Sequence, residues 1–145
     1  MSIQEKENQL INEFGQFEDW ADKYLHLIAW GRKFKKMDEQ YYQDKYLIQG
    51  CQSKVWLHAF LDENNKVILQ ADSDAEITKG IISLLVWVYS GEDPEDILNS
   101  NFEFIEKIGL KEHLSPTRSN GLYSMIKQIK LYALVFKTQI EKKEK

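Results

Sequence analysis

The sequence predicts an α+β fold, and three observations predict it. Two stretches alternate apolar and polar residues with the period of two that a half-buried strand requires. These are Val55, Leu57, Ala59 and Leu61, then Val67, Leu69 and Ala71. Apolar residues at helical spacing lie before and after this region. The loops between the alternating stretches are short, and short loops join strands as antiparallel neighbours. The chain has 145 residues, 43% hydrophobic and 12% aromatic, enough for one domain spanning 1–145 with a buried core.

The elements follow in chain order. Leu10, Ile11 and Phe14 form a short helical face that Gly15 breaks. A second helix carries Trp20, Tyr24, Leu27, Ile28 and Gly31 on one side, with Glu18 and Asp19 in its first turn, where the macrodipole favours negative charge. Arg32, Lys33, Lys35 and Lys36 then form the only basic cluster. Cations at a helix C-terminus offset its dipole, and the same cluster can dock an acidic partner. Residues Asp38 to Lys45 read as an irregular connection in which Tyr41 and Tyr42 are free to pack. Tyr46-Leu47-Ile48-Gln49 reads as a strand, Gly50-Cys51-Gln52-Ser53 as a loop, and the two alternating stretches complete a three-stranded antiparallel sheet.

Ser73-Asp74-Ala75-Glu76 has the spacing of a capping box that opens the next helix. That helix, with Ile77, Ile81, Leu84, Leu85 and Val88, is apolar nearly all round and is expected to be the central buried one. Gly80 within it costs about 1 kcal/mol against Ala, which suggests close backbone contact with a neighbour. Gly91 ends it. Asp93-Pro94 starts another helix, and Phe102 to Ile108 forms a further one closed by Gly109. The last helix is the longest, with Leu122, Met125, Ile126, Ile129, Tyr132, Ala133, Phe136 and Ile140 on one face. The four later helices are expected to cover one face of the sheet.

Several function classes are disfavoured. A net charge of −4 argues against general nucleic-acid binding, which needs clustered Lys and Arg. The first residues are polar, without the apolar core of a signal peptide, and the longest apolar run, Ile81 to Tyr89, is too short to span a bilayer. A soluble, cytoplasmic protein is expected, not bound to membrane. One cysteine and three histidines, His26, His58 and His113, lack the paired spacing of a zinc site. No glycine-rich loop is present to cradle phosphate.

Cys51 remains. A lone cysteine is ordinarily a small buried hydrophobe, and it is alternatively a reactive thiol. A stand-alone thiol enzyme, such as a cysteine hydrolase or peroxidase, would need His58 or His113 brought to Cys51 by the fold. Gly50 beside it frees the loop backbone to present or withdraw the thiol.

The segment Ile48-Gln49-Gly50-Cys51-Gln52-Ser53-Lys54-Val55-Trp56 closely resembles the reactive-cysteine segment of the SufE family, sulfur-acceptor proteins of iron–sulfur cluster assembly. Ala71 to Gly80 is similar to the family segment that leaves the sheet, and Leu114-Ser115-Pro116-Thr117-Arg118-Ser119-Asn120-Gly121-Leu122 to the one that opens the final helix. The resemblance implies a SufE/IscU-like fold in which Cys51 accepts sulfur as a persulfide from a SufS-type cysteine desulfurase, stimulates its turnover, and passes the sulfur to the SufBCD scaffold. CsdE-like paralogues serve a related desulfurase in the same way. It implies no cofactor on this chain, since pyridoxal phosphate belongs to the desulfurase, and a monomer or homodimer.

The chemistry is consistent with that role. Transfer is thiol exchange, and one cysteine suffices. A second thiol nearby would resolve the persulfide into a disulfide. Val55 and Trp56 offer apolar shelter for the persulfide. Gln52 and Ser53 are placed to hydrogen-bond the loop closed. Arg118 is suited either to attract a thiolate or a partner's carboxylate, or to brace the helix start. Asp72 either tunes the cysteine loop or the desulfurase interface, or serves as a turn carboxylate.

Overall fold

The computed structural model describes residues 1–144. α1 (Ile3–Gly15) starts two turns before the apolar face visible in the sequence. Its start is fixed by a capping box in which Ser2 Oγ accepts from the Glu5 amide at 3.1 Å and Glu5 Oε1 accepts from the Ser2 amide at 3.3 Å. α2 (Trp20–Lys33) is capped by Asp19, whose carboxylate accepts from the Ala21 amide at 3.0 Å. The connection that follows winds through two 3-10 turns, Glu39–Tyr41 and Asp44–Tyr46.

The sheet has two strands among the described residues, not the three expected. β1 (Val55–Leu61) and β2 (Val67–Ser73) pair antiparallel, from Val55↔Ser73 to Leu61↔Val67. The strand expected at Tyr46–Gln49 is reduced to one bridge, Leu47↔Trp56. The reason is local. Tyr46 closes the second 3-10 turn, and Gly50, at φ +92°, turns the chain away. Only Leu47 and Ile48 follow β1, with the Ile48 amide donating to Val55 O at 2.8 Å. Val55, Leu57, Val67, Leu69 and Ala71 point into the core. Trp56 and His58 occupy the other face, against Tyr42 and Tyr41 of the preceding connection.

α3 (Glu76–Tyr89) is the central helix, with Ile81 to Val86 all buried. The capping box expected at Ser73 and Glu76 does not form. Ser73 still belongs to β2, paired with Val55, and its Oγ accepts from the Ala75 amide at 3.3 Å. The Glu76 carboxylate instead takes the Arg32 guanidinium at 2.7 Å. Gly80 has the close neighbour that its helical position suggests. A Cβ there would meet Leu27 O at 2.5 Å, and one on Gly31 would meet Gly80 N at 2.9 Å, so α2 crosses α3 backbone to backbone.

α4 (Pro94–Asn99) begins on the expected proline, and α5 (Phe104–Ile108) ends at Gly109 in the left-handed conformation, φ +88°. Phe102 lies outside α5, itself at φ +58°. A single turn, α6 (Leu110–His113), leads to α7 (Pro116–Glu144). Ser115 Oγ accepts from the Arg118 amide at 3.3 Å and caps α7, with Pro116 as its first residue. Gly121, Leu122, Met125, Ile129 and Ala133 seat its first half on the core. No helix is long and apolar enough to cross a membrane among the described residues. The first turns of α3 and α7 converge on the loop that carries Cys51.

Candidate functional site

The loop from Gln49 to Lys54 is fixed at both ends. Gly50 presses against α7, where a Cβ would lie 2.4 Å from Ser124 Oγ, and that hydroxyl is itself held by Asn120 O at 3.0 Å. At the far end, Lys54 and Asp74 exchange two bonds. The Lys54 amide donates to Asp74 Oδ1 at 3.0 Å, and the Asp74 amide to Lys54 O at 3.2 Å. Between these anchors Cys51 turns inward. It is half-buried, and its Sγ donates to Gly121 O at 3.6 Å. Gly121 takes part through its carbonyl, since a Cβ there would make only an ordinary 3.5 Å contact with Sγ.

The thiol opens on a cleft of about 340 Å³. Ile81 of α3 and Met125 of α7 give it apolar walls. Ser53, Thr78, Ser115 and Thr117 line the rest, and Arg118 is its one charged residue among the described residues. Burial raises the Cys51 pKa above the usual thiol range, because the thiolate is the form that desolvation penalises. The resting state is therefore a protonated thiol donating to a carbonyl, not a ready nucleophile.

The expected residues separate into two groups. Gly50, Cys51, Gln52, Ser53 and Arg118 meet at one place, although Gly50 contributes through backbone shape alone. Neither Gln52 nor Ser53 closes the loop, since no side-chain hydrogen bond of either exists among the described residues. Gly50 packing, the Cys51–Gly121 contact and Asp74 hold it instead. Val55 is fully buried beneath the sheet and Trp56 packs on Tyr42, so Ile81 and Met125 shelter the sulfur in their place. Arg118 is exposed, lines the cleft, and has no carboxylate within 4 Å among the described residues.

Asp72 is elsewhere. It is buried, accepts from Tyr42 OH and from the Ser73 amide at 2.8 Å, and pairs with Lys79 at 3.3 Å. It ties the connection after α2 to β2 and α3. Tyr42 responds to burial and to this carboxylate, and its pKa is pushed up to about 12. His58 stacks on Tyr41 with ring centres 3.7 Å apart, and His113 stacks on Trp20 at 3.7 Å. Among the described residues neither histidine lines the Cys51 cleft, so neither is placed as the general base expected of a stand-alone thiol enzyme. Among the described residues no group of three His, Cys, Asp or Glu is placed to hold a metal ion.

The residues that sequence reasoning missed are Asp74, Gly121, Ser124, Ile81 and Met125.

Comparison with known proteins identifies the family. A family model described as SufE, Fe-S metabolism associated domain, matches residues 8–133. The chain is 36% identical over 129 residues to SufE-like protein 1, chloroplastic/mitochondrial, of Arabidopsis thaliana. That match takes in 89% of this chain but 35% of the relative, so the chain spans about a third of its length. The solution structure of a hypothetical protein from Thermus thermophilus superposes with a TM-score of 0.75, covering 92% of this chain and 96% of that one. At 23% identity this likeness concerns the fold.

Proposed function

The chain belongs to the SufE family of Fe-S metabolism associated domains, and on that premise we propose that Cys51 accepts sulfur as a persulfide from a cysteine desulfurase and hands it on for cluster assembly. The Cys51 thiolate attacks the outer sulfur of the donor's persulfide. A new S–S bond forms on Cys51 as the donor's S–S bond breaks, and the donor cysteine leaves as a thiolate that takes the proton Cys51 lost. Nothing is oxidised or reduced overall. A second exchange of the same kind delivers the sulfur to the scaffold, for which the SufBCD type is the natural candidate. The donor is of the SufS type or its CsdA-like relative.

The observation that carries this reading is the posture of Cys51. Its thiol is hydrogen-bonded to Gly121 O, burial raises its pKa, and no histidine lines its cleft among the described residues. Such a group does nothing to a small substrate alone. It needs a partner that turns the thiol away from the Gly121 carbonyl and supplies both the sulfur and a destination for the proton. Arg118, facing the same cleft, stabilises the thiolate as it forms or receives a carboxylate of the donor. Ile81 and Met125 then shield the loaded sulfur from reductants. The protein is thus an accessory that is modified in each turnover.

Intact mass spectrometry after mixing with a SufS-type desulfurase and free cysteine tests this. The expected result is a gain of one sulfur atom that reductant reverses and Cys51→Ser abolishes. If the desulfurase releases sulfide while this chain gains no mass, the acceptor role is wrong.

A further inference from the structure

A second cleft, of about 550 Å³, opens between the end of α2 and the latter half of α3. It shares no lining residue with the Cys51 cleft. Its volume falls in the range of ligand pockets, roughly 300–1,000 Å³. The walls are aromatic. Trp30 and Trp87 are both half-buried and meet edge to face at 5.4 Å, with Phe34 beside them. Lys33 and Lys35, both exposed, stand at the rim.

The charges here are uneven. Glu13 is the one carboxylate in the lining among the described residues, and its Oε2 faces donors within the fold, His26 Nε2 at 2.8 Å and Trp30 Nε1 at 2.6 Å. The basic cluster that follows α2 is also divided. Arg32 is held by Glu76 at 2.7 Å, whereas no carboxylate lies within 4 Å of the Lys33, Lys35 or Lys36 ammonium among the described residues. Arg32 and Lys33 lie in the last turn of α2 and offset its dipole, but Lys35 and Lys36 come after the helix has ended at Phe34. Helix stabilisation therefore leaves half of the cluster unexplained. A local positive rim on a chain of net charge −4 selects for a negative partner. Recessed tryptophans ringed by lysines are the composition of an anchor pocket. The rings lie inside a concavity, which a flat lipid surface does not enter.

We propose that this cleft docks an acidic segment of a partner protein. One apolar side chain of the segment seats against Trp30 and Trp87, and flanking carboxylates meet Lys33 and Lys35. The proposal is independent of the chemistry at Cys51.

The test uses the full-length protein, labelled with nitrogen-15, titrated with the end-capped hexapeptide DEFLED. Expected are shifts of the Trp30 and Trp87 indole N–H signals, with Trp20 and Trp56 unmoved. Affinity should fall at least tenfold in the Lys33→Glu/Lys35→Glu variant and weaken as salt rises. The variant should alkylate Cys51 at the wild-type rate, which shows that its fold is intact. The peptide DEGSED, which lacks the anchor, should not bind. Failure of DEFLED to shift either indole overturns the proposal, as does equal binding of KKFLKK. Vesicles of phosphatidylglycerol that shift the same signals where DEFLED does not would reassign the cleft to a membrane surface.

Discussion

Gly50→Ala is the most direct probe of how the thiol loop is held. The substitution has two costs. Gly50 is at φ +92°, and a left-handed backbone costs a residue with a side chain about 1–2 kcal/mol. The new methyl would also lie 2.4 Å from Ser124 Oγ. That hydroxyl can rotate away only by giving up its 3.0 Å bond to Asn120 O, worth about 1 kcal/mol. Adding the strain of an overfilled contact, the loss of stability is expected at about 2–4 kcal/mol. This is a large share of the roughly 5–15 kcal/mol that holds a domain folded.

The two costs separate in a double-mutant cycle. Ser124→Ala removes the clashing oxygen and leaves Cβ at an ordinary 3.5 Å, so the double variant should retain only the backbone cost. A coupling of about 1–2 kcal/mol should follow. Urea unfolding measures it, and the rate of Cys51 alkylation in the folded state reports whether the loop has moved. Gly50→Ala within about 0.5 kcal/mol of wild type, or strict additivity of the two substitutions, would refute the packing argument.

Three further outcomes follow from the same geometry. Because burial raises the Cys51 pKa, the folded chain holds that proton more tightly than the unfolded one; its stabilising contribution is complete below the ordinary thiol pKa of about 8.5 and is lost as pH rises through the folded value. The unfolding free energy should therefore decline from about pH 8.5, before the tyrosines begin to titrate near pH 10, and urea melts of Cys51→Ala should show a shallower decline in that window. Asp72→Asn weakens the contact to Lys79 and alters those to Tyr42 and the Ser73 amide, and should cost about 1–3 kcal/mol in urea melts while leaving the alkylation rate of Cys51 unchanged. Gly80→Ala gains about 1 kcal/mol of helix propensity but drives a methyl to 2.5 Å from Leu27 O, so thermal melts should show net destabilisation by about 1–3 kcal/mol.

What the sequence disclosed and what it hid divide along a physical line. The strands at Val55–Leu61 and Val67–Ser73 were legible because one face of each is buried and the alternation records it. α3 was legible because it is buried on most sides, and Gly80 because a glycine there has a cost that some contact must offset. The third strand was misread because Tyr46 to Gln49 has strand composition but too little room, between a 3-10 turn and a left-handed glycine, to form more than one bridge. The capping box at Ser73 was misread because the ladder with Val55 claims that residue, a long-range demand that a four-residue motif does not contain. The first two turns of α1 are mostly polar, and only Ser2 and Glu5 announce them. At the site, Cys51 was visible from its neighbours in the chain. Its latch was not, because Gly121 supplies a backbone carbonyl, and no residue type marks where a carbonyl will point.

The double anchoring of the cysteine loop limits travel. Consecutive Cα atoms are about 3.8 Å apart, so while Gly50 stays wedged against Ser124 the Cα of Cys51 cannot leave a sphere of that radius about it. The thiol can swivel, but it cannot swing across an interface as a group on a long flexible arm does. If the chain carries sulfur as proposed, the distance between donor and recipient must be covered by the whole molecule, which would let go of one and diffuse to the other. Throughput would depend on how fast each complex dissociates and how much of the carrier the cell holds, so a variant that binds its donor too tightly should slow delivery as surely as one that binds too weakly.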